Sequence, residues 1–347
     1  MPNPTARPEI RYARDDKPEP GRTLPIGDGA WWLRMPLPFA LNHINLWLFR
    51  DSGGWAVIDT GLGDDASQAH WRELFTTTLA GDPVKRVIVT HMHPDHVGCA
   101  GFLAQEFEAP LWMTREEYLY CRVLVADTGR AAPAAGIAFY RAAGYTEAAL
   151  DRYRRMFGYF GRFVTPLPES YHRLRDGQRL TIDGSDWEII VGRGHSPEHA
   201  CLYNADRELL VGGDQLLPAI SANVSVYPTE PSANPLADWL ESLAAIRERV
   251  PADVLVLPAH GRPYRGAHDR IDELLGEHRH RLDALLEHLV RPQRAVDTFP
   301  ALYHRRITDD NLMFATGEAL AHLNYLAAGG LIASEADAGG VCWYRRT

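Results

Sequence analysis

Lysine is nearly missing from this chain: Lys17 and Lys85 are the two lysines among 36 basic residues. Acidic residues number 45, leaving a formal net charge of −9. A chain whose main partner is nucleic acid needs a basic face to meet phosphate, so that class is disfavoured. Cysteine is scarce too. Cys99, Cys121, Cys201 and Cys342 are scattered without C-x-x-C spacing, which suggests reduced thiols and a cytoplasmic setting, not a disulfide framework. No window approaches the ~18 consecutive apolar residues of a membrane span. Met1 to Thr23 is proline-rich and charged, without the apolar stretch of a secretory signal.

What is present is an ordinary globular composition, 46% hydrophobic and 23% charged over 347 residues. That length buries a large core and suggests two domains. The densest chemistry lies at Val87-Ile88-Val89-Thr90-His91-Met92-His93-Pro94-Asp95-His96. An apolar run of strand character ends, and four metal-ligand residue types follow. In an extended segment His91 and His93 point to one side, and Pro94 biases His93 towards that conformation. Asp95 and His96 then stand where the chain turns into a helix expected over 96–107. Three imidazoles and a carboxylate this close need polar partners when buried, and a divalent cation supplies one.

Along the chain, residues 1–24 read as a loosely ordered arm. Ile44 to Phe49 and Trp55 to Asp59 flank a turn and read as a hairpin. Helical spacing covers 66–79, and a strand covers 84–90. Alternating strands and helices imply a layered α/β fold. Residues 114–165 read as a helical insertion, with breaks near 128–133 and at Gly144. The insertion is either a plain connection or a cover for a site, with Tyr118, Tyr120, Tyr140 and Tyr159 as candidate substrate contacts. Three later apolar runs lead to His195, Asp214 and His260. Each polar residue follows its run closely, as in α/β folds that place sites beyond strand ends. Helices are expected over 235–250 and 267–290. A further helix, 311–328, precedes two short apolar runs with the outline of a winged helix.

These residues carry a resemblance. The run His91-Met92-His93-Pro94-Asp95-His96, with Gly194-His195-Ser196, Gly213-Asp214 and His260-Gly261, resembles the metallo-β-lactamase superfamily in order and context. Asp59-Thr60-Gly61 looks like its strand-end aspartate. The resemblance implies an αββα sandwich over residues 25–265, and residues 266–347 are similar to the winged-helix-like domain of some β-lactamase-like hydrolases. Gly194 to His199 is similar to the G-H-[ST]-x-G-H run of glyoxalase II-like enzymes, with Glu198 where glycine is usual.

Carried over by position, the resemblance gives His91, His93 and His195 to one metal. Asp95, His96 and His260 go to a second, with Asp214 bridging. Imidazoles and carboxylates without cysteine suit two Zn²⁺ ions and admit Fe or Mn. Asp214 stands where zinc β-lactamases commonly use cysteine, which disfavours antibiotic hydrolysis. The implied nucleophile is a hydroxide between the two ions, with Asp95 also orienting water. Asp59 and His199 are candidates to support the ligands from behind. His43, His278, His322 and the remaining histidines read as surface or core, Trp31-Trp32 as core, and Arg279 and Arg281 as a solvated face.

The expected activity is hydrolysis of small-molecule thioesters such as coenzyme A or glutathione conjugates, because a thiolate of pKa ~8.5 leaves without protonation. One alternative is a metal-dependent ribonuclease or phosphodiesterase. Against it, the 45 residues between Asp214 and His260 leave little room for a nucleic-acid-clamping insertion, and six arginines balance six acidic residues from Arg291 to Thr347. A second alternative is a non-catalytic regulator using the winged helix. The C-terminal piece also admits a homodimer contact.

Overall fold

The computed structural model describes residues 10–347 except Asp28. The chain begins with strands β1 (Arg11–Tyr12), β2 (Thr23–Gly27), β3 (Ala30–Pro36), β4 (His43–Arg50) and β5 (Trp55–Ile58), then helix α1 (Asp65–Thr76) and strand β6 (Val84–Ile88). Helices α2 (Pro94–Val97) and α3 (Ala100–Glu106) lead to β7 (Leu111–Met113). Helices α4 (Arg115–Ala126), α5 (Ala134–Ala142) and α6 (Glu147–Met156) follow, then a 3₁₀ turn at Phe160–Phe163. The second half runs β8 (His172–Arg173), β9 (Arg179–Ile182), β10 (Ser185–Gly192), β11 (His199–Asn204), β12 (Leu209–Gly213), α7 (Pro235–Arg249), β13 (Leu255–Pro258) and β14 (Tyr264–Arg265). It closes with α8 (Ala267–His288), α9 (Phe299–Leu302), α10 (Leu312–Ala328), β15 (Ile332–Ala336) and β16 (Cys342–Arg346).

Two seven-stranded mixed sheets form, ordered β2-β3-β4-β5-β6-β7-β8 and β1-β14-β13-β12-β11-β10-β9. Strand β4 shows why they stack. Its side chains alternate, Trp47 and Phe49 entering the core between the sheets while Ile44, Leu46 and Leu48 face the helices. Trp32, Trp187, Leu202 and Leu257 join Trp47 in that inner core. Trp71 of α1 and Leu103 of α3 cover the first sheet. Trp239 of α7, Leu285 of α8 and Leu323 of α10 cover the second. The result is the four-layer αββα sandwich.

Three expectations need adjustment. The supposed arm is partly sheet from Arg11 onward: β1 pairs with β14 and β2 with β3. Both strands are short, β1 exposed and β2 half-buried, so they lack the apolar alternation that marks a strand in sequence. Residues 1–9 lie outside the described residues. The helix expected over 96–107 is two, because Thr60 takes the His96 carbonyl through its N–H (2.8 Å) and hydroxyl (2.7 Å). Arg281 is not plainly solvated. One of its guanidinium nitrogens is buried, 4.0 Å from Glu318.

The insertion holds three helices broken over 127–133 and near Gly144. A C-terminal helix followed by an antiparallel hairpin, β15 with β16, is present. Among the described residues, no helix is long and apolar enough to cross a membrane.

Candidate metal centre

The candidate ligand residues stand beyond strand ends: His91 to His96 after β6, His195 after β10, Asp214 after β12 and His260 after β13. Both β5–β6 and β12–β13 are parallel pairs, so their carboxyl ends open at the same edge of the sandwich. Two donor groups gather there. His91, His93, His195 and Asp214 form one, and Asp95, His96 and His260 the other, with the donor atoms of each group within 4.8 Å of one another.

Four of the five imidazoles are fixed from the far side. His195 Nδ1 lies 2.7 Å from the Asn223 carbonyl, and His260 Nδ1 lies 2.8 Å from the His43 carbonyl. His96 Nδ1 lies 2.8 Å from Asp59 Oδ2, and His91 Nδ1 lies 3.1 Å from Thr90 Oγ1. These acceptors place the ring protons on Nδ1 and leave the Nε2 lone pairs facing the cavity. One ring proton at most, that of His93, is available to the His91 and His195 lone pairs. His91 Nε2 and His195 Nε2 sit 2.8 and 3.1 Å from His93 Nδ1. His96 Nε2 and Asp214 Oδ1 are buried without any hydrogen-bond partner. Converging acceptors in a buried site are costly unless a cation sits among them. The donor set fits divalent metal.

The electrostatics agree. Burial and neighbouring imidazoles hold His91 well below its ordinary pKa and His93 at about 3, so both rings present lone pairs. At His96 and His260 burial pulls the other way but is outweighed by carboxylates, including Asp95 and Asp214, and both pKa values rise. Asp214 stays ionised despite burial because His260 and His96 face it. These carboxylates favour positive charge at this spot, whether proton or metal.

Asp59 accepts from the Thr90 N–H at 2.8 Å and also receives its hydroxyl, besides holding His96. His199 is fully buried and accepts from the Asp214 N–H at 3.1 Å, fixing the backbone of that ligand. His43 had read as an ordinary histidine. Instead its carbonyl holds His260 and its Nε2 accepts from the Gly261 N–H at 3.1 Å. Its only sequence signal was its position at the start of an apolar strand.

Glu117 was also missed. Fully buried, it accepts from the Met92 N–H (2.8 Å) and the Glu198 N–H (2.7 Å), tying two ligand-bearing loops to α4. Glu198 makes the reverse connection: its carboxylate accepts from the Glu116 N–H at 3.0 Å. The departure from glycine at 198 thus serves the first turn of the insertion. Of the four tyrosines, Tyr118 and Tyr140 are buried, Tyr120 bonds Thr229, and Tyr159 is exposed.

With this geometry in place, comparison with known proteins is decisive. Residues 41–286 match the metallo-beta-lactamase superfamily and residues 282–347 the metallo-beta-lactamase-like C-terminal domain. The chain belongs to the metallo-beta-lactamase superfamily. It is similar to a beta-lactamase domain protein from Burkholderia ambifaria, with a TM-score of 0.90 and 39% identity over 98% of both chains. It is 25% identical to the probable metallo-hydrolase YqjP of Bacillus subtilis, over 85% of this chain and 91% of that one. It is 24% identical to the acyl-coenzyme A thioesterase MBLAC2 of Gallus gallus, over 68% of this chain and 79% of that one.

Proposed function

We propose that the protein is a metal-dependent hydrolase of small-molecule thioesters, with coenzyme A and glutathione conjugates as the first substrates to test. The observation carrying the hydrolase reading is the meeting of seven donor residues, two of whose atoms, His96 Nε2 and Asp214 Oδ1, are buried without a partner. His91, His93, His195 and Asp214 would hold one divalent ion, and Asp95, His96 and His260 the other, with Asp214 near both. Such ions, Zn²⁺ or alternatively Fe or Mn, supply a water of lowered pKa and a Lewis acid for a carbonyl oxygen.

The chain's own residues perform the rest. Asp59, Asn223 and the His43 carbonyl keep the rings aimed, so no reorganisation is needed when substrate arrives. Asp95 Oδ2, 3.5 Å from His260 Nε2, can accept a proton from an attacking water. Cysteine nucleophiles are not available nearby: burial pushes the Cys99, Cys121 and Cys201 thiols up to about 12.

The thioester reading has two supports, the similarity to a relative named an acyl-coenzyme A thioesterase and an apolar surface beside the ligand loops. Phe39 and Leu41 are exposed between β3 and β4, and Phe39 packs edge-on to Phe163. The Phe163 carbonyl binds the Gly63 N–H, just past Asp59. We assign this surface to an apolar acyl group. We place the protein in a reducing compartment, in keeping with its free cysteines.

The test is thiol release from acyl-coenzyme A and acyl-glutathione series of increasing chain length, beside phosphodiesters and duplex DNA. Chelator-sensitive turnover of thioesters is expected. Cleavage of phosphodiesters alone, or DNA binding with no hydrolysis, would reject the reading.

A further inference from the structure

The segment 214–234, between β12 and α7, contains no helix or strand, yet it carries Asn223, whose carbonyl aims His195. A loop this long cannot hold one atom in place without outside support. The C-terminal piece supplies it. The Asn223 amide donates to the Phe314 carbonyl and to Glu318 Oε2, both at 3.4 Å. Ser225 hydrogen-bonds the Asn223 side chain, and the Val226 N–H donates to the Gly317 carbonyl at 3.0 Å. Asn324 donates to the Ala233 and Pro231 carbonyls at 2.8 and 3.1 Å. From α8, Arg270 donates to the Leu217 carbonyl at 2.8 Å and the Ile220 carbonyl at 2.9 Å.

At Gly317 the α10 backbone lies directly against this loop. A Cβ there would stand 2.6 Å from Ser225 Oγ and 2.7 Å from Ser225 Cβ. Any larger residue must push the loop, two residues from Asn223. Behind Glu318, the Tyr303 hydroxyl at 3.3 Å and the Arg281 guanidinium at 4.0 Å keep its carboxylate in position.

We propose that α10 is a positioning element of the metal centre: through Gly317, Glu318 and the Phe314 carbonyl it sets the Asn223 carbonyl, and thereby the direction of the His195 lone pair. The C-terminal domain thus belongs to the ion site formed by His91, His93, His195 and Asp214. This rests on reading that cluster as an ion site, but not on the identity of the substrate.

The experiment is stepwise removal of bound Co²⁺ from the full chain by chelator, followed by visible absorbance, in wild type, Gly317→Ala and Asn223→Ala. Disturbing the acceptor behind a ligand histidine costs about 10–100-fold in metal affinity. That loss is expected for one of the two ions in both variants, with the other ion held as in wild type and the melting temperature of the metal-free protein little changed. If Gly317→Ala does not fold, Asn223→Ala, which retains the carbonyl and loses its anchors, carries the test. Unchanged affinity for both ions would overturn the proposal. So would equal weakening of both, which marks general loosening, and so would a wild type that binds no ion. A wild type that binds two ions and hydrolyses no thioester defeats the substrate reading alone.

Discussion

Asp59 adopts a left-handed backbone, φ +60°, a conformation aspartate and asparagine tolerate better than most residues. The turn aims one carboxylate at both Thr90 and His96. Asp59→Asn keeps that backbone but replaces one acceptor oxygen with an amide that cannot receive the His96 Nδ1 proton. We expect about 10–100-fold weaker binding of the ion at Asp95, His96 and His260, measured by chelator competition, with unchanged far-ultraviolet circular dichroism. The clustering of the seven candidate ligands was legible in sequence because each follows an apolar strand. Asn223, His43 and Glu117 were not. Two of them act through backbone carbonyls, which any residue possesses, and Glu117 sits on a helix whose face gave no hint of the loops it reaches.

At the scale of elements, α4 shows how a local departure is absorbed. Its N-cap residue, Thr114, makes no capping bond; its hydroxyl donates to the Glu198 carbonyl at 2.7 Å instead. The Glu198 carboxylate takes the capping role from outside the helix. Glu198→Gly, which restores the more usual residue, should cost about 1 kcal/mol in urea unfolding, as loss of an N-cap does. A stability equal to wild type would show that Glu198 does not cap the helix. In α8 and α10, His278 and His322 are fully buried with ring nitrogens 3.3 Å apart. Burial holds them at about 3 and about 4, whereas unfolded histidines titrate near ~6.5. Below that pH the unfolded chain binds the extra protons, so their contribution is intact above ~6.5 and is lost as pH falls towards 4, by up to ~1.4 kcal/mol per unit per histidine. His278→Met should flatten this acid slope relative to wild type in matched urea titrations at pH 5 and 7. An unchanged slope would remove His278 from the account.

Across the whole molecule, the sandwich was readable because its strands are apolar on both faces and its helices on one. The β4–β5 hairpin, the three insertion helices and the long C-terminal helices all lie where the sequence pattern suggested. The edge strands escaped notice: both are short, β1 exposed and β2 half-buried, and β1 pairs with a partner more than 200 residues away, β14, while β2 pairs with the neighbouring β3. Saturating metal should stabilise the native chain by about 4 kcal/mol when free metal is ~1,000 times its dissociation constant. Thermal melts with and without Zn²⁺ check this, and an identical melting temperature would count against ion binding.

Donors in the centre come from opposite halves of the chain: His91 to His96 follow a strand of one sheet, while His195, Asp214 and His260 follow strands of the other. An ion held among them would fasten the two sheets at one rim. Stripping it should let that rim spread before the tryptophan-lined interior gives way, so amide exchange would quicken first in 90–96 and 214–223, far ahead of β4 and β10. The cofactor would then be a clasp on the architecture as well as a tool for the chemistry.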